Sequence, residues 1–326
     1  MSSSVNGRAA DAAERLTSLS AVQPVFRRRD LLALGIDDVL QSAMFRRHLL
    51  VRLRHGVYAP SEVLAGASAR DRHRIDVAAA AAAAEEPTWA VGLSAALVHG
   101  LPLPFAVPDV VSLVRQAGQD QRALRRPSRH SLHVPATSVT TCAFDPTDTM
   151  TVDGVPVVTP DVAAVTAAVA LTARWQVGLF DSVMWSRRTS QERLAHLVDR
   201  WRHLGHREQL LDSVSRARPG AQTILETISR LALMEQGLPE PQLQVPFHDG
   251  AGLIGYVDMW WPELRVIGEA DGAVKYGSGD DVFREKVRED RLRALGPMVV
   301  RWTWAEIRTS PDQVARRIRG AARRAA

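Results

Sequence analysis

The sequence predicts a multidomain α/β protein, and three observations support this prediction. A chain of 326 residues is long enough for two or three domains, each with its own core. Three short helical segments followed by an alternating hairpin occupy residues 11–60. Between residues 217 and 310 the pattern changes to the order α-β-β-β-α-β. Helices and strands therefore alternate within one chain, as an α/β fold class requires.

Composition excludes several classes of protein. Apolar residues make up 46% and charged residues 24%, which is ordinary for a globular chain. The single cysteine, Cys142, excludes a disulfide framework and a cysteine zinc cluster. The N-terminus lacks the apolar stretch of a signal peptide, and no run approaches the roughly 18 to 20 apolar residues that span a bilayer. We therefore expect a cytoplasmic protein without a membrane partner.

The charge of the chain weakly favours a polyanionic partner such as DNA. The net charge is +5, and only two of the 41 basic residues are lysine, Lys275 and Lys286. An arginine excess of this kind, together with the alanine run at 78–84, is typical of GC-rich genomes. The basic balance is therefore poor evidence of nucleic-acid binding when it stands by itself.

Residues 11–60 predict a compact helical region that ends in a hairpin, whereas residues 1–10 are polar and are predicted to be disordered. A helix at 11–19 precedes a short helix from Asp30 and a third helix that Asp37 or Asp38 caps. Residues 49–58 then alternate strictly and turn at His55-Gly56. This order is typical of a winged helix-turn-helix.

The same region carries candidate DNA contacts of two kinds. The candidate phosphate contacts form a basic rim: Arg27, Arg28, Arg29, Arg46, Arg47, Arg52 and Arg54. Base reading in such folds comes from the third helix, where Gln41 and Ser42 are the candidates. Asp37 and Asp38 at the start of that helix would repel phosphate. A winged helix used for protein contacts therefore remains an alternative.

Residues 61–216 predict an α/β region followed by helices, and the sequence assigns them no function. Helical periodicity covers 70–100 and 161–215. Strands are predicted at 109–115, 130–135 and 151–158, and 115–129 is predicted to be a basic loop. The segment Arg216-Ala-Arg-Pro-Gly220 predicts a domain boundary, and residues 311–326 predict a basic C-terminal helix or tail.

Three carboxylates are predicted to meet at the end of one hairpin. Strand periodicity places Glu269 and Asp271 on one face, about 7 Å apart. A tight turn that pairs Trp261 with Leu264 would put Asp258 opposite Ile267, and diagonal to Glu269. The mutual repulsion of such carboxylates is relieved by a proton or a cation. Mg²⁺ prefers oxygen ligands, so Asp258 and Glu269 are the candidate Mg²⁺ ligands.

The segment GYVDMWWPELRVIGEADGAVKY, with the helix and strand that follow it, resembles the very-short-patch-repair-like branch of the PD-(D/E)XK nuclease superfamily. The resemblance covers about 90 residues and implies a restriction-endonuclease-like core. It implies that Asp258 and Glu269 hold the metal and that Glu226 is the acidic residue of the first helix. A solvated ion pair between Glu226 and Arg230 explains Glu226 about as well.

The chain departs from that superfamily at one position. Asp271 stands where the superfamily has lysine, and a carboxylate cannot supply the missing positive charge. Lys275 lies four residues further on and is the candidate substitute. Remnant carboxylates in a fold that is now used only for binding explain the cluster equally well.

Residues 26–58, followed by Gly92-Leu-Ser-Ala-Ala-Leu-Val-His-Gly-Leu-Pro102, are similar to AbiEi-type type IV antitoxins and related actinobacterial winged-helix regulators. The resemblance implies DNA binding at an operator and a nucleotidyltransferase-class toxin as partner. Three hypotheses follow. The first is a DNA-binding transcriptional regulator or antitoxin-like protein. The others are a Mg²⁺-dependent DNA endonuclease, and an antitoxin that acts by protein contact with a toxin.

Overall fold

The computed structural model describes residues 2–116, 136–142, 144–186, 188–201, 205–272 and 279–325. The predicted strand at 130–135, most of the predicted loop at 115–129 and the candidate Lys275 lie outside these ranges. The described chain is an α/β protein with three sheets. It divides into two compact units, formed by residues 1–171 with 194–207 and by residues 172–193 with 208–326. None of the described helices combines the length and apolarity needed to cross a membrane.

The first unit begins with three helices and a small antiparallel sheet. Its elements are α1 (Ser2–Leu19), β1 (Phe26–Arg27), α2 (Arg28–Ala33), α3 (Asp38–Arg46), β2 (Leu50–Arg54) and β3 (Val57–Pro60). The sheet order is β1-β3-β2. Asp37 caps α3, because its side chain accepts a hydrogen bond from the Leu40 amide at 2.8 Å. The predicted order of helices and hairpin is therefore the observed order.

The prediction of disorder for residues 1–10 is wrong, because α1 begins at Ser2. Ala9, Ala12 and Leu16 follow helical spacing and are fully or almost fully buried. They pack in one core cluster with Leu31 and Met44 from the next two helices. The polar sequence hides this apolar stripe, which gains its partners only when the other helices fold.

The hairpin of β2 and β3 departs from strict alternation. Leu50 and Leu53 are the buried residues of β2, and the pairing register shifts between Arg52 and Arg54. This irregularity turns Arg54 inward, where it is half-buried. Arg52 stays exposed. The two arginines that alternation predicts on one solvent-facing side therefore have different surroundings.

The remainder of the first unit is built around a five-stranded sheet with the order β6-β5-β4-β8-β7. Its elements are α4 (Ser61–Ala65), α5 (Ala69–Ala83), β4 (Trp89–Ala90), α6 (Gly92–Val98), β5 (Val110–Gln116), β6 (Ala136–Cys142), a 3-10 turn (Pro146–Asp148), β7 (Thr149–Val152), β8 (Val155–Val158) and α7 (Pro160–Ala168). The short strand β4 interrupts the helical region predicted at 70–100. It sits in the middle of the sheet, between β5 and β8.

The second unit contains a four-stranded sheet with helices around it. The elements after α7 are α8 (Ala173–Trp185), α9 (Gln191–Arg200), α10 (Arg207–Ser215), α11 (Ile224–Glu235), β9 (Gln242–Asp249), β10 (Gly252–Trp261), β11 (Val266–Asp271), α12 (Gly279–Ala294), β12 (Met298–Thr303), α13 (Trp304–Thr309) and α14 (Pro311–Ala325). Of these, α9 belongs to the first unit except for its first three residues. The sheet order is β12-β11-β10-β9. Strand β11 is antiparallel to β10 and parallel to β12.

The boundary predicted at residue 217 does not separate the units, because α8 belongs to the second one. Asp181 on α8 and Arg230 on α11 form an ion pair with an N–O distance of 3.0 Å, and each side chain is only 1% exposed. Gly178 on α8 lies against Ile224, and a Cβ there would approach the Ile224 side chain to 2.0 Å. These contacts are long-range, so a composition break between the two helices does not reveal them.

The C-terminal residues form a helix that is part of the second core. Val314, Ala315, Ile318 and Ala321 of α14 are buried at helical spacing. They pack in one cluster with Trp261, Trp302 and residues of α11 and α13. The arginines of α14 lie outside this apolar stripe. Of the two predicted alternatives, a basic helix or a tail, the structure shows the helix.

Candidate functional site

The carboxylates predicted on β10 and β11 lie close together, but the register differs from the predicted one. Trp261 pairs with Val266 and Trp260 with Ile267. The same register extended toward the N-terminus of β10 places Asp258 directly across from Glu269, so the predicted diagonal is wrong. The turn is longer than expected, because Arg265 adopts a left-handed conformation with φ of 51° and stays outside the ladder.

Asp258 is tied to both neighbouring strands. One carboxylate oxygen accepts a hydrogen bond from the Ala270 amide at 2.9 Å, and the other accepts one from the Gln244 side chain at 3.3 Å. Burial raises the pKa of Asp258, although these two hydrogen bonds act in the opposite direction. Both carboxylate oxygens of Asp258 therefore accept a hydrogen bond, and these bonds fix the orientation of the side chain.

Glu269 is the most strongly perturbed carboxylate of the cluster. Its side chain is almost completely buried, and within the described part of the chain it forms an ion pair with Arg288 of α12, at an N–O distance of 3.0 Å. Burial, followed by the charge of Asp258, raises the pKa of Glu269 to about 7, and Arg288 opposes this rise. Arg288 also donates to the Tyr256 carbonyl at 2.7 Å. Near neutral pH Glu269 is thus poised between its two protonation states.

Asp271 is paired with a second arginine. Arg301 of β12 lies 3.2 Å from the Asp271 carboxylate and also pairs with Glu285 and Glu289 of α12. The cation that compensates Asp271 therefore comes from the neighbouring parallel strand. The sequence points to Lys275 for such a charge, but Lys275 lies outside the described residues.

Glu226 joins the cluster through Gln244, a residue that no sequence pattern singled out. Gln244 donates to Glu226 at 3.2 Å as well as to Asp258, and it adopts a positive φ of 49°. Glu226 also accepts hydrogen bonds from Gln222 and Thr223 at the start of α11. Burial is the main cause that raises the pKa of Glu226.

The alternative ion pair between Glu226 and Arg230 is not formed. Arg230 pairs instead with Asp181 at 3.0 Å and with Glu240 at 3.4 Å. Although the two residues are four apart on α11, Arg230 is 1% exposed and its guanidinium turns toward α8. The solvated pair expected from helical spacing is therefore wrong.

The donor set fits Mg²⁺ in chemistry but not in its present arrangement. Carboxylate oxygens are the ligands Mg²⁺ prefers. However, Glu269 already forms an ion pair with Arg288, and Asp271 forms one with Arg301. Both oxygens of Asp258 accept hydrogen bonds. Within the described ranges, no group of three or more His, Cys, Asp or Glu side chains is arranged to hold a metal ion. The charge of this cluster is compensated by arginine.

The two candidate base-reading residues of α3 have opposite surroundings. Gln41 is 5% exposed, and its amide donates to the Ile36 carbonyl at 2.9 Å. It is therefore a structural residue, and its selection as a base reader is wrong because helical phase turns it into the core. Ser42 is exposed. Val39, which sequence reasoning missed, is 65% exposed on the same outward face.

The arginines of the basic rim also divide into groups. Arg28 donates to both carboxylate oxygens of Asp38 at 2.7 Å, which neutralises the carboxylate expected to repel phosphate. Arg54 donates to Thr137 at 2.8 Å, and burial lowers its pKa, so it is not available on the surface. The exposed members of the rim are Arg28, Arg29, Arg46, Arg47 and Arg52. Arg27 is half-buried at the start of α2.

Comparisons with known proteins give a short partial match. No protein-family model matches the chain. Over 98 residues it is 32% identical to proteins of two Mycobacterium tuberculosis strains, CDC 1551 / Oshkosh and H37Rv, both named only as uncharacterized proteins. The match covers 30% of this chain and 36% of each relative's length. This similarity assigns no activity to the chain, because neither relative's name states one.

Proposed function

We propose that the protein is a DNA-binding transcriptional regulator or antitoxin-like protein whose DNA-binding part is a winged helix-turn-helix formed by residues 2–60. The sheet order is β1-β3-β2, and α2 and α3 lie between β1 and β2 along the chain. This arrangement supports the winged-helix assignment. The observation that carries the proposal is the outward face of α3. It exposes Val39, Ser42 and Arg46 next to further arginines at its rim.

Each part of this face has a chemistry suited to DNA. Arg46 and Arg52 are exposed and would meet phosphates, which sets the affinity and its salt dependence. A serine hydroxyl can donate to or accept from a base edge, and an apolar side chain can contact the thymine methyl group in the major groove. Val39 and Ser42 therefore replace Gln41 in the proposed set of base-contacting residues.

The proposal is tested by a mobility-shift assay over a salt series, with the DNA upstream of the protein's own gene. In Arg46→Ala/Arg52→Ala we expect roughly tenfold weaker binding and a log–log salt slope shallower by about 1.8. The matched control, Arg70→Ala/Arg308→Ala, removes two exposed arginines elsewhere and is expected to keep both values. Absence of binding by the unaltered protein at low salt would refute the proposal.

A second proposal, favoured by the convergence of Glu226, Asp258 and Glu269, is that residues 217–310 form a restriction-endonuclease-like domain that hydrolyses DNA. The β10-β11 hairpin with the parallel strand β12 supports this assignment. The guanidinium of Arg288 on Glu269 weighs against metal-dependent activity, so it ranks below DNA binding.

The endonuclease proposal predicts nicking of supercoiled plasmid when Mg²⁺ or Mn²⁺ is supplied. We expect Asp258→Ala to abolish the nicking, because that carboxylate lies at the centre of the cluster. Glu263→Ala, which removes an exposed carboxylate from the β10-β11 turn, is the control and is expected to nick normally. Nicking that persists in Asp258→Ala would come from a contaminant and would end this proposal.

A further inference from the structure

The second unit contains a cleft that no part of the proposed function uses. It lies at the edge of the sheet, between the edge strand β12 and helix α14, and has a volume of about 490 Å³. Its lining residues are Val299, Val300, Arg301, Arg316, Arg317, Gly320 and Arg324. Four of the seven are arginines and none is acidic.

Helical geometry explains why the arginines face one cleft. Arg317, Gly320 and Arg324 are spaced by three and four residues, so they form one row along α14. The buried stripe of Val314, Ala315, Ile318 and Ala321 fixes the rotation of the helix against the core. Gly320 has no side chain, and the Arg324 guanidinium lies 3.8 Å from the position that a Cβ would occupy there.

The four arginines differ in how freely their charge can be offered to a ligand. Arg301 is engaged with Asp271 and two glutamates, and Arg317 binds Glu306 and the Arg301 carbonyl. Among the residues that the structure describes, Arg316 pairs only with Asp312, in an exposed i,i+4 pair of a kind that water weakens strongly. Arg324 is exposed and forms no ion pair with any other residue in the described ranges.

We propose that this cleft binds the phosphodiester backbone of a nucleic-acid strand, with Arg316 and Arg324 as the main phosphate contacts. Guanidinium groups bind phosphate with two parallel hydrogen bonds, which suits arginine better than lysine. The lining contains no aromatic ring for stacking and no side-chain amide for reading bases. Binding is therefore independent of sequence. This site is separate from the face of α3 and does not depend on it.

The test measures binding of the full chain to a fluorescent 25-base-pair duplex whose sequence is unrelated to the DNA upstream of the gene. In Arg316→Ala/Arg324→Ala we expect roughly tenfold weaker binding and a salt slope shallower by about 1.8, because two phosphate contacts are lost. The matched control, Arg308→Ala/Arg323→Ala, removes the same charge from exposed positions outside the cleft lining. It is expected to bind within twofold of the unaltered protein.

Two competitors distinguish the nucleic-acid backbone from other anions at constant ionic strength. We expect neither 10 mM inorganic phosphate nor a decaglutamate peptide to displace the duplex. Displacement by phosphate would show a single-ion site, and displacement by the peptide would show a site for an acidic protein segment. Either result overturns the proposal, as does an equal loss of binding in the cleft and control variants.

Hydrogen exchange locates the effect independently of affinity. Duplex binding is expected to slow amide exchange in residues 311–325 and 298–303 of the unaltered protein but not of Arg316→Ala/Arg324→Ala. Unaltered far-ultraviolet circular dichroism in both double variants would show that they fold, because arginine and alanine are both good helix formers. Protection that is the same in the cleft variant as in the unaltered protein would contradict the assignment.

Discussion

The outward face of α3 and the carboxylate cluster of the second unit both contain arginines and carboxylates, but in different surroundings. Around α3 the arginines are mostly exposed, and one exposed carboxylate, Asp38, is paired with Arg28. In the cluster the carboxylates are buried or half-buried, and Arg288 and Arg301 are held between several acids. The first arrangement leaves positive charge available to a partner, whereas in the second the arginines are neutralised by carboxylates of the same unit.

The number of arginines in a segment therefore does not predict how many of them can bind a polyanion. Exposed pairs exchange with solvent at little cost, whereas buried pairs cost several kcal/mol to break. Whether an arginine is structural or available is therefore decided by burial and by partners from distant elements. The following variants test this distinction, in order of decreasing expected effect.

The largest effect is expected at the buried pair between Asp181 and Arg230. Arg230→Met leaves the Asp181 carboxylate buried without its cation, which should lower the free energy of unfolding by about 3 to 5 kcal/mol in urea melts. In Asp181→Leu/Arg230→Met neither position carries a charge, so part of the loss should be recovered, although the Thr227 hydroxyl and the Arg218 amide lose the acceptor that Asp181 provides. Arg29→Ala, at an exposed site, should change stability by less than about 0.5 kcal/mol. A small loss in Arg230→Met would show that the pair is not structural.

The pH dependence of stability should report on Glu269. Its pKa rises from 4.5 to about 7 on folding, so the folded state binds the proton more tightly. The resulting stabilisation is fully present below about pH 4.5 and is lost as pH rises through 7. The loss amounts to up to about 3 kcal/mol.

Urea melts at pH 5, 6, 7 and 8 measure this loss. Glu269→Gln should remove the corresponding part of the slope, because glutamine does not titrate, and Glu263→Gln in the exposed turn should leave the slope unchanged. If Glu269→Gln keeps the full slope, the titrating group is another member of the cluster, such as Asp258 or Glu226.

A smaller effect on stability is expected at α3, where Gln41 and Ser42 should respond differently to substitution. Gln41→Ala leaves the Ile36 carbonyl without its donor and should cost about 1 to 2 kcal/mol of stability. Ser42→Ala should leave stability within about 0.5 kcal/mol and weaken binding to the upstream DNA. Thermal melts and mobility shifts of the two variants measure these effects. The reverse pattern would mean that Gln41 faces DNA.

The smallest effect is expected at the exposed pair of Arg28 and Asp38. Asp38→Asn removes a carboxylate from the proposed interface and frees Arg28, so DNA binding should tighten by roughly threefold. The same change at Asp11, an exposed carboxylate on α1, serves as the control and should leave affinity unchanged. Weaker binding in Asp38→Asn would indicate that Asp38 itself contacts the DNA.

The order of elements in both candidate regions was predictable because it depends on local patterns. The cap at Asp37, the turn at Gly56 and the strand 298–303 agree with the structure, since capping, turn chemistry and periodicity act within a few residues. The prediction failed where side-chain phase mattered, at Gln41 and Arg54. A phase error of one position on a helix, or one register shift in a strand, reverses exposure.

By itself, the sequence determined the α/β class, the helical region that ends in a hairpin, and the carboxylates Asp258 and Glu269 on adjacent strands. The tertiary structure decided which groups hold the carboxylates of the cluster. Gln244 donates to Asp258, Arg288 pairs with Glu269 and Arg301 pairs with Asp271, and these three come from other elements. It likewise decided that α8 packs with α11 and that α14 forms a basic cleft with β12. Pairing across elements depends on distances in the folded core, and no local pattern encodes those distances.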